Sequence, residues 1–200
     1  MAGDVQTQFR RLKAQVETKI QGLLTEFAEG KISREQFQVI YARYDSQLLA
    51  AEKGLDADQV SNGMDTIHIR AVHMGKAMGL VIYHHRSGRL IDTLGTFDVK
   101  SSRMASVLND FSQLMESRKL IDRKIERAGD QAWLFFAAGK HTTIITLFQN
   151  EPSSQQMREI ERLHHDFEVA NDASLSDTHV DVMKLAYPFH VFIQQKLKRA

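Results

Sequence analysis

Residues 132–149, AWLFFAAGKHTTIITLFQ, constrain this chain more than any other stretch. They read as two β-strands joined at Gly139-Lys140. Leu134 and Phe136 alternate with Trp133 and Phe135 before the turn, and Ile145 and Leu147 alternate with Ile144 and Phe148 after it. Successive side chains of a strand point to opposite faces, so both faces of this hairpin are apolar. Such a sheet has to be covered on both sides, and the neighbouring helices are expected to cover it.

Upstream, Val5, Phe9, Leu12, Val16, Ile20, Leu23 and Phe27 recur every three or four residues, which predicts a helix with one apolar stripe. Gly30 is placed to end it, Ser33 and Gln36 form an S-x-x-Q capping box, and Ile32 and Phe37 occupy the positions of a hydrophobic staple. A second helix carries Phe37, Ile40, Tyr41, Tyr44 and Leu48, so residues 1–54 are expected to form an antiparallel helical hairpin. Two helices bury little by themselves, which makes Phe9, Leu12, Val16, Phe37, Tyr41 and Tyr44 the candidate interaction stripe. Residues 55–77 favour a helix ending at Gly75, although TIHIRAV also alternates like a strand.

From Gly79 the pattern gives a hairpin, GLVIYHH-RSG-RLIDTLGTF, then an amphipathic helix from Ser101 to Lys119, then a polar strand, LIDRKIERA. After Pro152, Ser153 and Gln156 form a second S-x-x-Q box opening a helix with Met157, Ile160, Leu163 and Phe167. The expected fold is α+β, a five-stranded antiparallel sheet covered by helices on both faces, spanning 55–171. Residues 172–200 are expected to be a linker and an amphipathic helix carrying Val180, Met183, Tyr187, Val191 and Leu197, interrupted at Pro188.

The hairpin LVIYHHRSGRLIDTLG, the helix MASVLNDFSQLM and the pair AWLFFAAGKHTTIITLF resemble the roadblock/dynein light chain family, a profilin-like fold. Residues Gly30, Ile32, Ser33, Gln36 and Phe37 resemble the signature of the short helical module called SHOCT, which implies an interaction or oligomerisation element. The roadblock resemblance implies a non-catalytic module, commonly a homodimer formed by extending sheets and packing middle helices. It also implies binding or regulation of a small Ras-like GTPase. On that reading Arg103, Ser106, Asp110 and Gln113 of the middle helix, with Lys124 and Glu126 of the polar strand, are the candidate self-association or partner surface. A profilin-like sensor holding a small ligand is the alternative.

Catalytic chemistry finds little purchase in the sequence. The Gly139-Lys140-His141-Thr142-Thr143 run lacks the upstream glycine of a phosphate loop, since Leu134 stands there. His84-His85 and His164-His165 point apart within their elements, and the spacings H-x-x-x-H and H-E-x-x-H are absent. The chain holds no cysteine, which removes disulfides, thiolate nucleophiles and cysteine metal sites. A formal net charge of +1 gives no field to recruit nucleic acid, and Glu116, Asp122 and Glu126 dilute the basic residues around the polar strand. That strand reads as an edge guarded by charge, open to pairing with a second copy. The polar N-terminus and the lack of a long apolar run predict a cytoplasmic protein without membrane insertion, cofactor or metal.

Overall fold

The computed structural model describes residues 2–52, 63–99, 104, 109 and 123–188. The chain divides into two compact units, Met1–Gly75 with Asn150–Gln156, and Lys76–Gln149 with Met157–Ala200. The expected boundary near residue 54 therefore moves to Gly75, and a short later segment joins the helical unit.

In the first unit, α1 (Ala2–Ala28) and α2 (Arg34–Glu52) form the expected hairpin, joined to α3 (Gly63–Val72). Gly30, at φ 73°, ends α1 in the left-handed region, while Gly30 N–H donates to Phe27 O and Lys31 N–H to Glu26 O at 2.9 Å each. Those two bonds satisfy carbonyls that the helix end would otherwise leave open. The first capping box forms, with Ser33 N–H donating to Gln36 Oε1 at 3.0 Å and Gln36 N–H to Ser33 Oγ at 3.2 Å. Val16, Leu23, Ile32, Ile40 and Tyr44 make the buried core of this unit, and Ile69 of α3 packs on it. Residues 63–72 are helical, as the three-four spacing favoured over strand alternation.

The segment after residue 149 belongs with these helices. Asn150, at φ 63°, donates from Nδ2 to Val72 O at 2.7 Å, and Glu151 accepts the Glu35 N–H at 2.9 Å. The second capping box also forms, Ser153 N–H donating to Gln156 Oε1 at 2.9 Å.

The second unit is built on one antiparallel sheet of order β2-β1-β5-β4-β3. Its strands are β1 (Lys76–His84), β2 (Leu90–Gly95), β3 (Arg123–Arg127), β4 (Ala132–Ala138) and β5 (Thr142–Gln149). The central pair behaves as its alternation requires. Phe135, Ala137, Ile144 and Phe148 face one core with Leu80, Ile82 and Ile91, where α4 (Ser154–Leu175) adds Ile160, Phe167 and Leu175. Leu134, Phe136 and Ile145 face the other core with Val81, packed by Phe97, Val99 and Met104. Phe135 and Phe136 are both fully buried, each stabilising the fold by roughly 2–3 kcal/mol. The middle helix expected over 101–119 is described only at Met104 and Asn109, both helical.

The tail departs from expectation. Where an amphipathic helix was expected from Val180, the described residues show one 3-10 turn, Val182–Lys184, followed by extended backbone at Leu185 with ψ 136°. Leu185 and Tyr187 both pack on the first core at a spacing of two, which an extended chain allows and a helix does not. Residues 189–200 of that expected helix lie outside the described residues.

Candidate functional site

The edge strand carries the two expected surface residues that the structure describes. Among the described residues β3 pairs only with β4, in the register Arg123↔Ala137 through Arg127↔Trp133. Its side chains alternate: Lys124 and Glu126 fall on one face with Lys124 Nζ 3.4 Å from Glu126 Oε2, and Arg123, Ile125 and Arg127 fall on the other. Arg123 lies 3.6 Å from Glu161 of α4, and Arg127 donates to Gly129 O at 3.0 Å and Asp130 O at 2.7 Å. Ile125, the middle residue, is 36% exposed. Arg103, Ser106, Asp110 and Gln113 lie outside the described residues, so the expected surface is seen here only through Lys124 and Glu126.

The helical stripe splits into two roles. Val16 and Tyr44 are buried between the helices and offer no surface, and Phe9 and Leu12 are half-buried. Phe37 instead stacks between Phe27 at 4.8 Å and Tyr41 at 5.6 Å, leaving Tyr41, Phe27 and Leu24 as the exposed apolar side chains of that stretch. The sequence stripe over-counted the available surface because the same spacing serves the hairpin's own core.

A polar cluster closes the β4–β5 turn. Glu168 of α4 accepts the Lys140 N–H on Oε2 at 2.7 Å, and the His141 and Thr142 N–H groups on Oε1 at 2.8 and 2.7 Å. The Thr142 hydroxyl donates to the same Oε1 at 2.8 Å and lies 2.7 Å from His164 Nε2. With its one proton given to Glu168, the hydroxyl must accept from a neutral His164 that carries its proton on Nε2. Burial pushes His164 down to about 4, which keeps it neutral. Burial opposes the charge on Glu168 too, but the bonds from His141 and Thr142 outweigh it and hold the carboxyl below its ordinary range. Outside this core, Lys140 Nζ and His141 Nε2 reach Asp172 Oδ1 at 2.7 and 2.9 Å. His85 Nε2 meets Thr143 Oγ1 at 2.8 Å.

Threonine, histidine and glutamate are residue types that also make nucleophilic triads, but their arrangement here differs. Histidine and carboxylate meet the same hydroxyl instead of acting in series, and Thr142 is 0% exposed. The cluster fixes a turn. Beside it lies a cleft of about 390 Å³, with Arg123, Glu161, His164, His165 and Glu168 around the end of β4. Sequence reasoning weighed Thr142 as part of a phosphate loop and His164 as part of a histidine pair, and it did not single out Glu168 or bring the three together. The available signal was on α4, whose buried positions Ile160, His164, Phe167, Glu168, Asn171 and Leu175 put polar residues where an apolar stripe belongs.

Among the described residues, no group of three or more histidine or carboxylate side chains is placed to hold a metal ion. No described helix is long and apolar enough to cross a membrane. No family model matches the chain, and no curated protein matches it either.

Proposed function

We propose that this chain is a non-catalytic regulatory or scaffolding module of roadblock-like type that acts as a homodimer and binds a small Ras-like GTPase. The observation that carries the dimer is the self-complementarity of β3. If two copies pair antiparallel about Ile125, Lys124 stands opposite Glu126 of the second copy, and the reverse, on one face. On the other face Arg123 stands opposite Arg127, but Arg123 already lies near Glu161 and Arg127 is bonded to two carbonyls. Two opposite-charge cross-strand pairs contribute about 0.2–1 kcal/mol each. The antiparallel order β2-β1-β5-β4-β3 supports the fold on which that reading rests. The GTPase part of the reading rests on the resemblance of the hairpin, middle helix and late strands.

Sedimentation velocity of the full chain tests the dimer. Reversing one charge, Lys124→Glu, should weaken it, and adding Glu126→Lys should restore it; a monomer at tens of micromolar wild-type protein would sink the dimer. Affinity capture from native lysate, with GDP and with a non-hydrolysable GTP analogue, tests the partner. Nucleotide-dependent enrichment of a small GTPase is expected, and its absence under both nucleotides rejects that part. The cleft by Arg123 and Glu161 favours a second reading, a profilin-like sensor of a small molecule. A ligand that copurifies and raises the melting temperature would support it.

A further inference from the structure

The tail after α4 lies on the sheet unit as a bound peptide would. Ser176, Asp177, Thr178 and His179 are exposed, and among the described residues beyond them Leu185 is the single buried side chain, with Val180 and Tyr187 half-buried. Leu185 enters the first core, and Tyr187 packs on Phe167 with ring centroids 5.5 Å apart. Burial and the neighbouring Asp92 carboxylate hold the Tyr187 phenol well above its ordinary range.

Between these two anchors the contact is with backbone. Asn171 is buried at 5% exposure, and its Oδ1 accepts the Ala186 N–H at 2.7 Å while its Nδ2 donates to Ala186 O at 2.7 Å. The same Nδ2 donates to Phe167 O at 2.8 Å, which fixes the orientation of the amide from within its own helix. A buried amide that holds both backbone groups of one residue reads extended chain without regard to that residue's side chain. The flanking positions supply the selectivity, one aliphatic and one aromatic, two residues apart.

We propose that this groove, formed by Phe167, Asn171 and the first sheet core, is a docking site for an extended peptide segment of a partner protein with aliphatic-x-aromatic spacing. Residues 180–187 of the chain itself are its resident occupant, and the partner segment displaces them. Three features argue for displacement over a permanent strap. The tail is anchored by few side chains, its bonds to Asn171 are independent of sequence, and the segment leading to it is exposed. A tethered occupant competes at an effective concentration on the order of millimolar, so a free peptide binds well only once the tether is weakened.

The test uses the full-length chain and a fluorescein-labelled peptide of residues 179–188, HVDVMKLAYP. In the released variant, Leu185→Ser with Tyr187→Ser, half-saturation by fluorescence anisotropy is expected at least tenfold below the concentration that wild type requires. Adding Asn171→Ala to the released variant should cost at least tenfold again. Equal binding to wild type and released variant, binding indifferent to Asn171→Ala, or no binding to a released variant with native circular dichroism each overturns the proposal. A second variant leaves every anchor intact and lengthens the 176–179 connection with Gly-Ser repeats until the tether to the anchors is about four times as long. Loop-closure entropy then lowers the effective concentration of the tail roughly eightfold, and the apparent affinity of the peptide should rise by that factor. An unchanged affinity overturns the proposal. Cross-linking that finds wild-type tails seated in the groove of a second copy would reassign the occupant and also overturn it.

Discussion

The backbone of the turn between β1 and β2 closes on residues 84–89, with the end of α4 meeting only side chains there, Leu175 O at 2.9 Å from His84 Nε2 and Ser176 O at 2.6 Å from Arg86, whereas the backbone N–H groups of the turn between β4 and β5 are held by a side chain of α4. In the first, Gly88 N–H donates to His84 O at 2.9 Å, and His84 Nδ1 lies 2.9 Å from Ser87 Oγ. Gly88 sits at φ 63°, with open space where a Cβ would be. In the second, Gly139 lies outside the left-handed region, but a Cβ there would collide with the Glu168 carboxylate. One glycine is required by its own backbone, the other by a residue far along the chain. A Cβ at Gly88 adds only local strain, whereas one at Gly139 disrupts a network.

Four measurements sharpen or break that contrast. Gly139→Ala should be the most damaging, about 3 kcal/mol or more by urea unfolding, because displacing Glu168 strands three turn N–H groups. Acid comes next. The buried His164 has its pKa lowered to about 4 from 6.5, so between those values the unfolded chain binds a proton that the folded chain refuses. Stability is therefore full above pH 6.5 and falls by roughly 3 kcal/mol as pH drops to 4. Glu168, held below the ordinary glutamate range, adds loss in the same direction at lower pH. His164→Gln should flatten the melting temperature between pH 6.5 and 4, and an unchanged slope would refute this assignment.

Glu168→Gln should cost about 2 kcal/mol, since the amide keeps one acceptor and turns a donor toward the backbone N–H groups. Smallest is Gly88→Ala, at about 1 kcal/mol, for a left-handed residue with no steric conflict. If Gly88→Ala proves as harmful as Gly139→Ala, the division between local and remote turns fails.

The same division explains what the sequence disclosed. Both capping boxes, Ser33 with Gln36 and Ser153 with Gln156, bond over three residues and form as expected. Strand alternation in Leu134–Phe136 and Ile144–Phe148 assigns the two cores because a pleat has period two. The Glu168 bonds span 26 to 28 residues, and no local pattern announces them. The tail misled for a related reason. Its apolar spacing fits a helix, but Asn171, 15 residues earlier, takes the Ala186 backbone groups and favours extended chain. Of the candidate surface, Lys124 and Glu126 were legible as edge charges, whereas burial of Val16 and Tyr44 depended on how α1 meets α2.

The Asn150–Gln156 segment bears on how this architecture could be inherited or recombined. Gln155 N–H donates to Gly30 O at 2.9 Å, and Gln36 and Gln156 each send Nε2 to a carbonyl between residues 70 and 75, at 2.8 and 2.6 Å. The helical pair is therefore no detachable cassette. A gene truncated to begin at residue 55 would strip Glu151 and Gln155 of their partners at Glu35 and Gly30, at the point where α4 starts. Grafting residues 1–54 onto another protein would leave the matching half of that lock behind.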